Sequence, residues 1–506
     1  LAVFDPLVQE SLRNSLLISL GVSLASMVLG LAVASLGRRG GRVGQMLECL
    51  SSTSAAVPCS FLGLGLLGWM TLIAERTGTL PTWVRVAAWF WVELAWGVGL
   101  VSISASQALR RVFPIWEDAA RLAGGRPWLV WRVVVRPVVL PSVVRAGSWV
   151  LVGSLFEPTA PLLFGLRRTL AGRLIDAALG SSSDPTARAP SLVILALILG
   201  AGFQVLFLTW GGRRAEGLEP THTERVVGSW NAAAWAGFGL LWMIVLTLAP
   251  VAGLIRSAWT EFGSQGAETT VSHFLTLLRQ VRPALVDSAI LGVSAASLSL
   301  LVAGLIGWLS PDSGLARVAL WTPTRLPGLA LGIGALGLLS IVGGLEPNSS
   351  GPALWLSPFA TPGVLLVLVV TIALVPQQSH ILHLRSVLLS ANQRDAARLL
   401  GGPRSFARRW RTLVWPSVGP RLLSAWVWTA FLASFETASA LVLTPTSAFR
   451  PIGPVLLDLA GSSGGAPKAA VLALAGWVLF LVAWTALRPR GLAGEEASAS
   501  PTTPAS

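Results

Sequence analysis

Charge is scarce in this chain. Only 12% of its 506 residues are Asp, Glu, Lys or Arg, about half the usual share of a soluble domain. Lysine is almost missing: Lys468 is the only one. That absence bears on nucleotide chemistry, because a phosphate-binding loop needs G-x-x-x-x-G-K-[ST]. Lys468 stands in "GSSGGAPKAA", with proline before it and alanine after it. No nucleotide-hydrolysing motor is expected, and no enzyme. Cysteine is equally thin. Cys49 and Cys59 supply neither a disulfide framework nor a zinc-type spacing, and read as buried thiols acting as small apolar residues. The four histidines are scattered; His380 and His383 share a helix face but lack a third ligand. No bound metal or cofactor is therefore expected. The chain opens at Leu1 without the charged, apolar and cleavage regions of a signal peptide.

Apolar residues are what the chain has in excess. They make up 53% of it, and the mean hydropathy is +0.69. Runs of about 20 apolar residues, enough to cross a bilayer, recur along its length. The expected fold is an all-α polytopic membrane protein. A barrel would instead show alternating segments of about ten residues. The expected spans are 14–36, 55–74, 84–106, 142–165 and 190–210, then 232–255, 286–309, 326–343, 363–379, 420–443 and 469–487.

The net charge of +14 is carried almost wholly by arginine. Loop charge that sets topology accounts for it better than nucleic-acid binding, so lipid is the expected medium and no nucleic acid is expected. With "GRRGGR" (37–42), "GGRRAEG" (211–217) and "RPRG" (488–491) in the cytoplasm, the inner side holds 25 of the 37 Lys+Arg residues and the outer side 12. The positive-inside rule selects that orientation.

The sequence is written twice. "RNSLLISLGVSLASMVLGL" from Arg13 resembles "VDSAILGVSAASLSLLVAGL" from Val286. "AVPCSFLGLGLLG" (56–68) matches "RLPGLALGIGALG" (325–337), and "LFEPTAPLL" (155–163) matches "SFETASALV" (434–442). The order is the same in both halves, as in a parallel internal duplication. Residues 1–210 form the first half and 232–487 the second. Between them 211–231 reads as a cytoplasmic linker, and 488–506 as a disordered cytoplasmic tail. The second half has a leading span, 232–255, with no counterpart in the first. The expectation is five spans plus six, with an N-terminal span missing from the sequence; the rival reading is a genuine five-plus-six architecture.

Two arginine-rich islands interrupt the apolar segments at matched places: "EDAARLAGGRPWLVWRVVVRP" from Glu117 and "RDAARLLGGPRSFARRWRTLVWP" from Arg394. Each has Asp-Ala-Ala, a glycine six residues after the acid, and a distal proline. The residues are Asp118, Ala119, Ala120, Gly124 and Pro137, and then Asp395, Ala396, Ala397, Gly401 and Pro416. The pattern predicts a short helix, a glycine turn, and a second helix that begins near the proline and leads into the next span. The paired alanines leave a flat face that another protein can approach closely.

This pattern resembles the cytoplasmic signature loop of ABC-importer permeases, with Asp in place of the usual Glu in both copies. The second copy is two residues longer between glycine and proline. Two such loops in one polypeptide most resemble the fused permeases of ferric-iron importers, followed by those of thiamine importers. The resemblance implies two copies of an ATPase subunit docked on the islands, with ATP bound by that partner. It also implies a periplasmic substrate-binding protein on the outer loops and a bacterial inner-membrane location. Ferric iron is the leading substrate and thiamine the second; polyamine, sulfate and molybdate stay open. A gradient-driven secondary transporter is the rival class, since it also uses repeats and buried acids.

Glu157 and Glu436 fall inside spans at equivalent places. Intramembrane acids are costly and usually face a cavity or a partner. Two readings stand for them: a carboxylate pair on the translocation path, or helix-to-helix pairing near the outer ends of the spans. Asn14 and Asp287 also match, and at span starts they read as helix caps. Glu93, in "WVELAW", has no counterpart and receives no role from the sequence.

Overall fold

The computed structural model describes residues 6–37, 41–112, 114–179, 230–262, 267–309, 328–343, 361–386, 415–445 and 448–487. Among these, every regular element is helical. The first ones in chain order are α1 (Pro6–Gly37), α2 (Gly41–Ala56), α3 (Cys59–Thr77), α4 (Thr82–Leu109), α5 (Pro114–Leu122) and α6 (Pro127–Val130). A single π turn (Trp131–Val135) joins α6 to α7 (Arg136–Phe156), followed by α8 (Thr159–Leu163) and α9 (Leu170–Leu179). Then come α10 (Trp230–Phe262), α11 (Ala267–Leu309), α12 (Gly328–Gly343), α13 (Pro362–Ser386) and α14 (Trp415–Ser434). The last three are α15 (Ala438–Leu443), α16 (Ile452–Gly461) and α17 (Ala466–Leu487).

Six helical stretches among the described residues are long and apolar enough to cross a membrane: Pro6–Gly37, Thr82–Leu109, Trp128–Leu163, Gly239–Thr260, Val271–Ile306 and Pro362–Ser379. Ten of the eleven expected spans overlap described helices. The eleventh, 190–210, lies outside the described residues. The chain is an α-helical membrane protein.

The exposure pattern of α1 shows what solvent it is built for. Ser11, Ser15, Ser19, Ser23 and Ser26 recur every three or four residues and are all buried, while Leu17, Leu20, Leu24 and Val28 on the other side are exposed. A helix in water hides leucine and shows serine. In lipid, apolar burial drives nothing, and small or hydroxylated residues take the helix contacts instead. The serines use their hydroxyls there. Ser23 Oγ donates to the Gly147 carbonyl at 2.7 Å, Ser19 bonds Ser154 at 3.2 Å, and Ser15 Oγ accepts the Leu170 N–H at 2.8 Å.

The chain divides into two compact units. The larger comprises Leu1–Asp287, Pro327–Val369 and Phe435–Leu474. In it α1 packs on α4 and α7, and α10 packs along α3. The α3–α10 crossing is close enough that neither Gly65, facing Pro250, nor Gly253, facing Gly65, has room for a Cβ. Trp69 Nε1 donates to the Ala249 carbonyl at 2.8 Å, and Arg256 to the Gly68 carbonyl at 2.6 Å across the same contact. The smaller unit comprises Ser288–Leu326, Val370–Ser434 and Ala475–Ser506. Within it Gln378 bonds Thr429, Trp426 bonds Ser297, and Phe480 stacks on Phe431 with ring centroids 4.2 Å apart.

Four features differ from the sequence expectation. The spans expected at 142–165 and 420–443 are each broken, at Glu157–Pro158 and at Phe435–Thr437. Two ten-residue helices, α9 and α16, form outside the expected spans, in segments expected to be outer loops. Residues 41–56, most of which lie between the first two expected spans, form α2, which packs against α4. Cys59 is half-buried rather than buried.

Candidate functional site: an arginine-rich island and two broken helices

The first island folds as its residues dictate. Helix α5 carries Asp118, Ala119 and Ala120, and Ala119 is exposed. It ends in a Schellman motif. Gly124 takes φ +82°, a left-handed conformation natural only for glycine. The Gly125 N–H then bonds the Ala120 carbonyl at 2.9 Å, closing the last turn. Pro137 is the second residue of α7, directly after the π turn that joins it to α6.

The same island displays apolar side chains. Ile115 is 69% exposed and Leu122 89%, with Trp116 and Trp128 exposed beside them. Large apolar groups on a short amphipathic helix between arginines form the kind of patch that marks a contact surface. In the second island, Asp395, Ala396, Ala397 and Gly401 lie outside the described residues. Pro416 is the second described residue of α14.

Glu157 and Glu436 sit at the two helix breaks. Glu157 follows α7, and its Oε1 accepts the Thr159 N–H at 3.1 Å. Glu436 lies between α14 and α15; its Oε1 accepts the Ser439 N–H at 3.1 Å and the Ser439 hydroxyl at 2.9 Å. Each carboxylate thus serves free N–H groups at the start of the short helix after the break, where no intrahelical acceptor exists. The two differ in burial: Glu436 is buried and Glu157 half-buried. Gly328 stands against the Glu436 Oε1, where a Cβ would approach to 2.5 Å.

Helices α9 and α16 repeat a second arrangement. Arg168 and Arg450 each stand two residues before one of these helices, with Asp176 and Asp458 eight residues further on. Asn14 Nδ2 donates to the Arg168 carbonyl at 3.4 Å, and the Arg450 N–H donates to Asp287 Oδ2 at 2.8 Å. Asn14 and Asp287 therefore tie their span starts to the chain ahead of these helices and do not cap their own helices. Arg168 also pairs with Glu10 at 3.3 Å, and Arg450 with Asp458. The contacts then cross over: α9 touches α15, and α16 touches α8. A continuous apolar cluster joins Leu170, Leu174 and Ile175 of α9 to Leu329 and Ile333 of α12 and Val442 of α15.

Sequence reasoning singles out Glu93 as an unmatched acid within a span and gives it no role. It is fully buried on α4, and neither carboxylate oxygen has a hydrogen-bond partner. The Trp89 indole N–H and the Ser154 hydroxyl face it without closing a bond of normal geometry, and Glu157 is close enough for its charge to act on it. The signal in the sequence was an acid within an apolar span; its neighbours come from α7, about sixty residues on.

Comparison with family models, curated proteins and solved structures finds no significant match.

Proposed function

We propose that this chain is the membrane-spanning permease subunit of an ATP-driven importer, with two permease halves fused in one polypeptide. The observation that carries the reading is the first island. A nine-residue helix bearing Asp118-Ala119-Ala120 ends at the left-handed Gly124 and presents Ile115, Trp116 and Leu122 outward. Arginine placement puts that island in the cytoplasm. An apolar, alanine-flattened helix end there suits the groove of a partner protein.

Support for two related halves comes from paired geometry. Both glutamates break a span, and both ten-residue helices follow an arginine tied to the start of a matched span. The contacts α9 to α15 and α16 to α8 are reciprocal, as across a two-fold interface between like subunits. A partner with two equivalent grooves, such as an ATPase dimer, then meets two islands on one chain. Hydrolysis belongs to that partner. ATP closes the ATPase dimer, and the docked islands favour one of two permease conformations over the other, which is what coupling requires.

In this reading the chain lies in a bacterial inner membrane and a periplasmic binding protein delivers the substrate. Ferric iron is the first candidate cargo and thiamine the second. One observation favours a different class: Glu93, buried and unpartnered, is the kind of acid found in ion-gradient transporters.

The test is the double substitution Gly124→Pro with Gly401→Pro, which removes the left-handed turn of the first island and the matched glycine of the second and lies outside the spans. The variant is expected to insert in the membrane at the wild-type level and to lose ATPase co-purification. ATPase retention by the double variant contradicts the reading.

A further inference from the structure

The buried acid on α4 has an unmet chemical need. Glu93 is 0% exposed, and both of its oxygens lack a partner. An ionised carboxylate in that position is costly without a counter-charge. Protonation removes the charge but creates an O–H donor that must share the Ser154 hydroxyl with Ser19. Among the described residues no lysine, arginine or histidine pairs with it, and the nearby charge of Glu157 is of the same sign. The polar neighbour on α7 is Ser154, already bonded to Ser19 of α1 at 3.2 Å, so a hydroxyl network lines the same place. Trp89, one turn earlier on α4, turns its buried indole N–H toward the same carboxylate without closing a bond of normal geometry.

We propose that Glu93 is the primary ligand of an intramembrane cation site between α1, α4 and α7, completed by the Ser154 and Ser19 hydroxyls and by the negative field of Glu157. Carboxylate and hydroxyl oxygens are hard donors, so the site takes a hard cation rather than a thiophilic metal. No group of three metal-ligating side chains occurs among the described residues. One acid with neutral oxygens suits an ion held weakly enough to leave, not a permanent structural metal. Glu436, which spends an oxygen on two Ser439 donors, offers no equivalent site. The ion is either the cargo in transit or a resident ion of the first half. The inference holds whichever energy source drives transport.

The experiment uses the purified full-length chain in detergent, without any partner, in a choline buffer. Its Tm is followed as Na+, Ca2+ or ferric citrate is added. A saturable rise of Tm with at least one of these is expected for the wild type and is absent in Glu93→Gln. Ser154→Ala, which keeps the acid, is expected to weaken the apparent affinity by about tenfold, as loss of one good ligand contact of ~1.4 kcal/mol would. A rise with ferric citrate alone identifies the cargo; a rise with Na+ or Ca2+ identifies a resident ion. If no ion moves the wild-type Tm, or if Glu93→Gln and Ser154→Ala both respond as the wild type does, the site does not exist. Failure of ATPase docking leaves this result untouched, so the two proposals fail separately.

Discussion

At the scale of the residue, the three intramembrane glutamates behave differently because their surroundings differ. Glu157 and Glu436 spend their oxygens on free N–H groups at helix breaks, while Glu93 faces polar groups that do not bond it. Replacing Glu436 with alanine leaves the Ser439 N–H and hydroxyl unserved in a buried place. It is expected to cost about 1–3 kcal/mol, read as a lowered Tm in detergent. Glu157→Ala at its half-buried break is expected to cost less in the same assay. Gly124 is set by backbone rather than by contact: at φ +82° nothing crowds its Cα. Gly124→Ala is therefore expected to strain the turn by about 1 kcal/mol. The spans should keep their stability, and ATPase co-purification should fall without vanishing.

At the scale of the element, the long apolar helices were legible because hydropathy over about 20 residues is a local property. The Schellman turn at Gly124 was legible for the same reason, since six residues contain the whole motif. What escaped was non-local or short. Helices α9 and α16 are ten-residue amphipathic pieces whose apolar faces need a distant partner, so in sequence they read as loop. The breaks at Glu157 and Glu436 fall inside apolar runs that hydropathy joins into one span. The serine stripe of α1 is spaced regularly, yet only the structure shows it turned inward onto α4, α7 and α9. That inward face sets a further expectation. A Cβ on Gly30 would meet the Val101 Cβ at 2.7 Å and the Ser102 nitrogen at 3.0 Å. Gly30→Leu should therefore separate α1 from α4 and lower the Tm, by roughly 1–3 kcal/mol of overpacking. Leu24→Ala, on the exposed face of the same helix, should leave the Tm almost unchanged.

At the scale of the whole molecule, the crossed contacts carry the account. Helix α9 meets α15, the short helix after the break at Glu436, and α16 meets α8, the short helix after the break at Glu157. A direct check replaces Leu174 and Val442, both in the shared apolar cluster, with cysteine in a chain lacking Cys49 and Cys59, with a protease site inserted between residues 211 and 229. Short bifunctional crosslinking is expected to hold the two cleavage fragments together as one band. Two separate bands would refute the crossed packing. The function proposed for this arrangement depends on a partner with two equivalent grooves. The most direct measurement is a pull-down of the tagged wild-type chain from its native membrane in mild detergent, with quantitative mass spectrometry of what accompanies it. Two copies of an ATPase for each copy of this chain is the predicted result. Recovery of the chain with no ATPase, even after crosslinking in the membrane, would contradict the proposal and leave an ion gradient as the driving force.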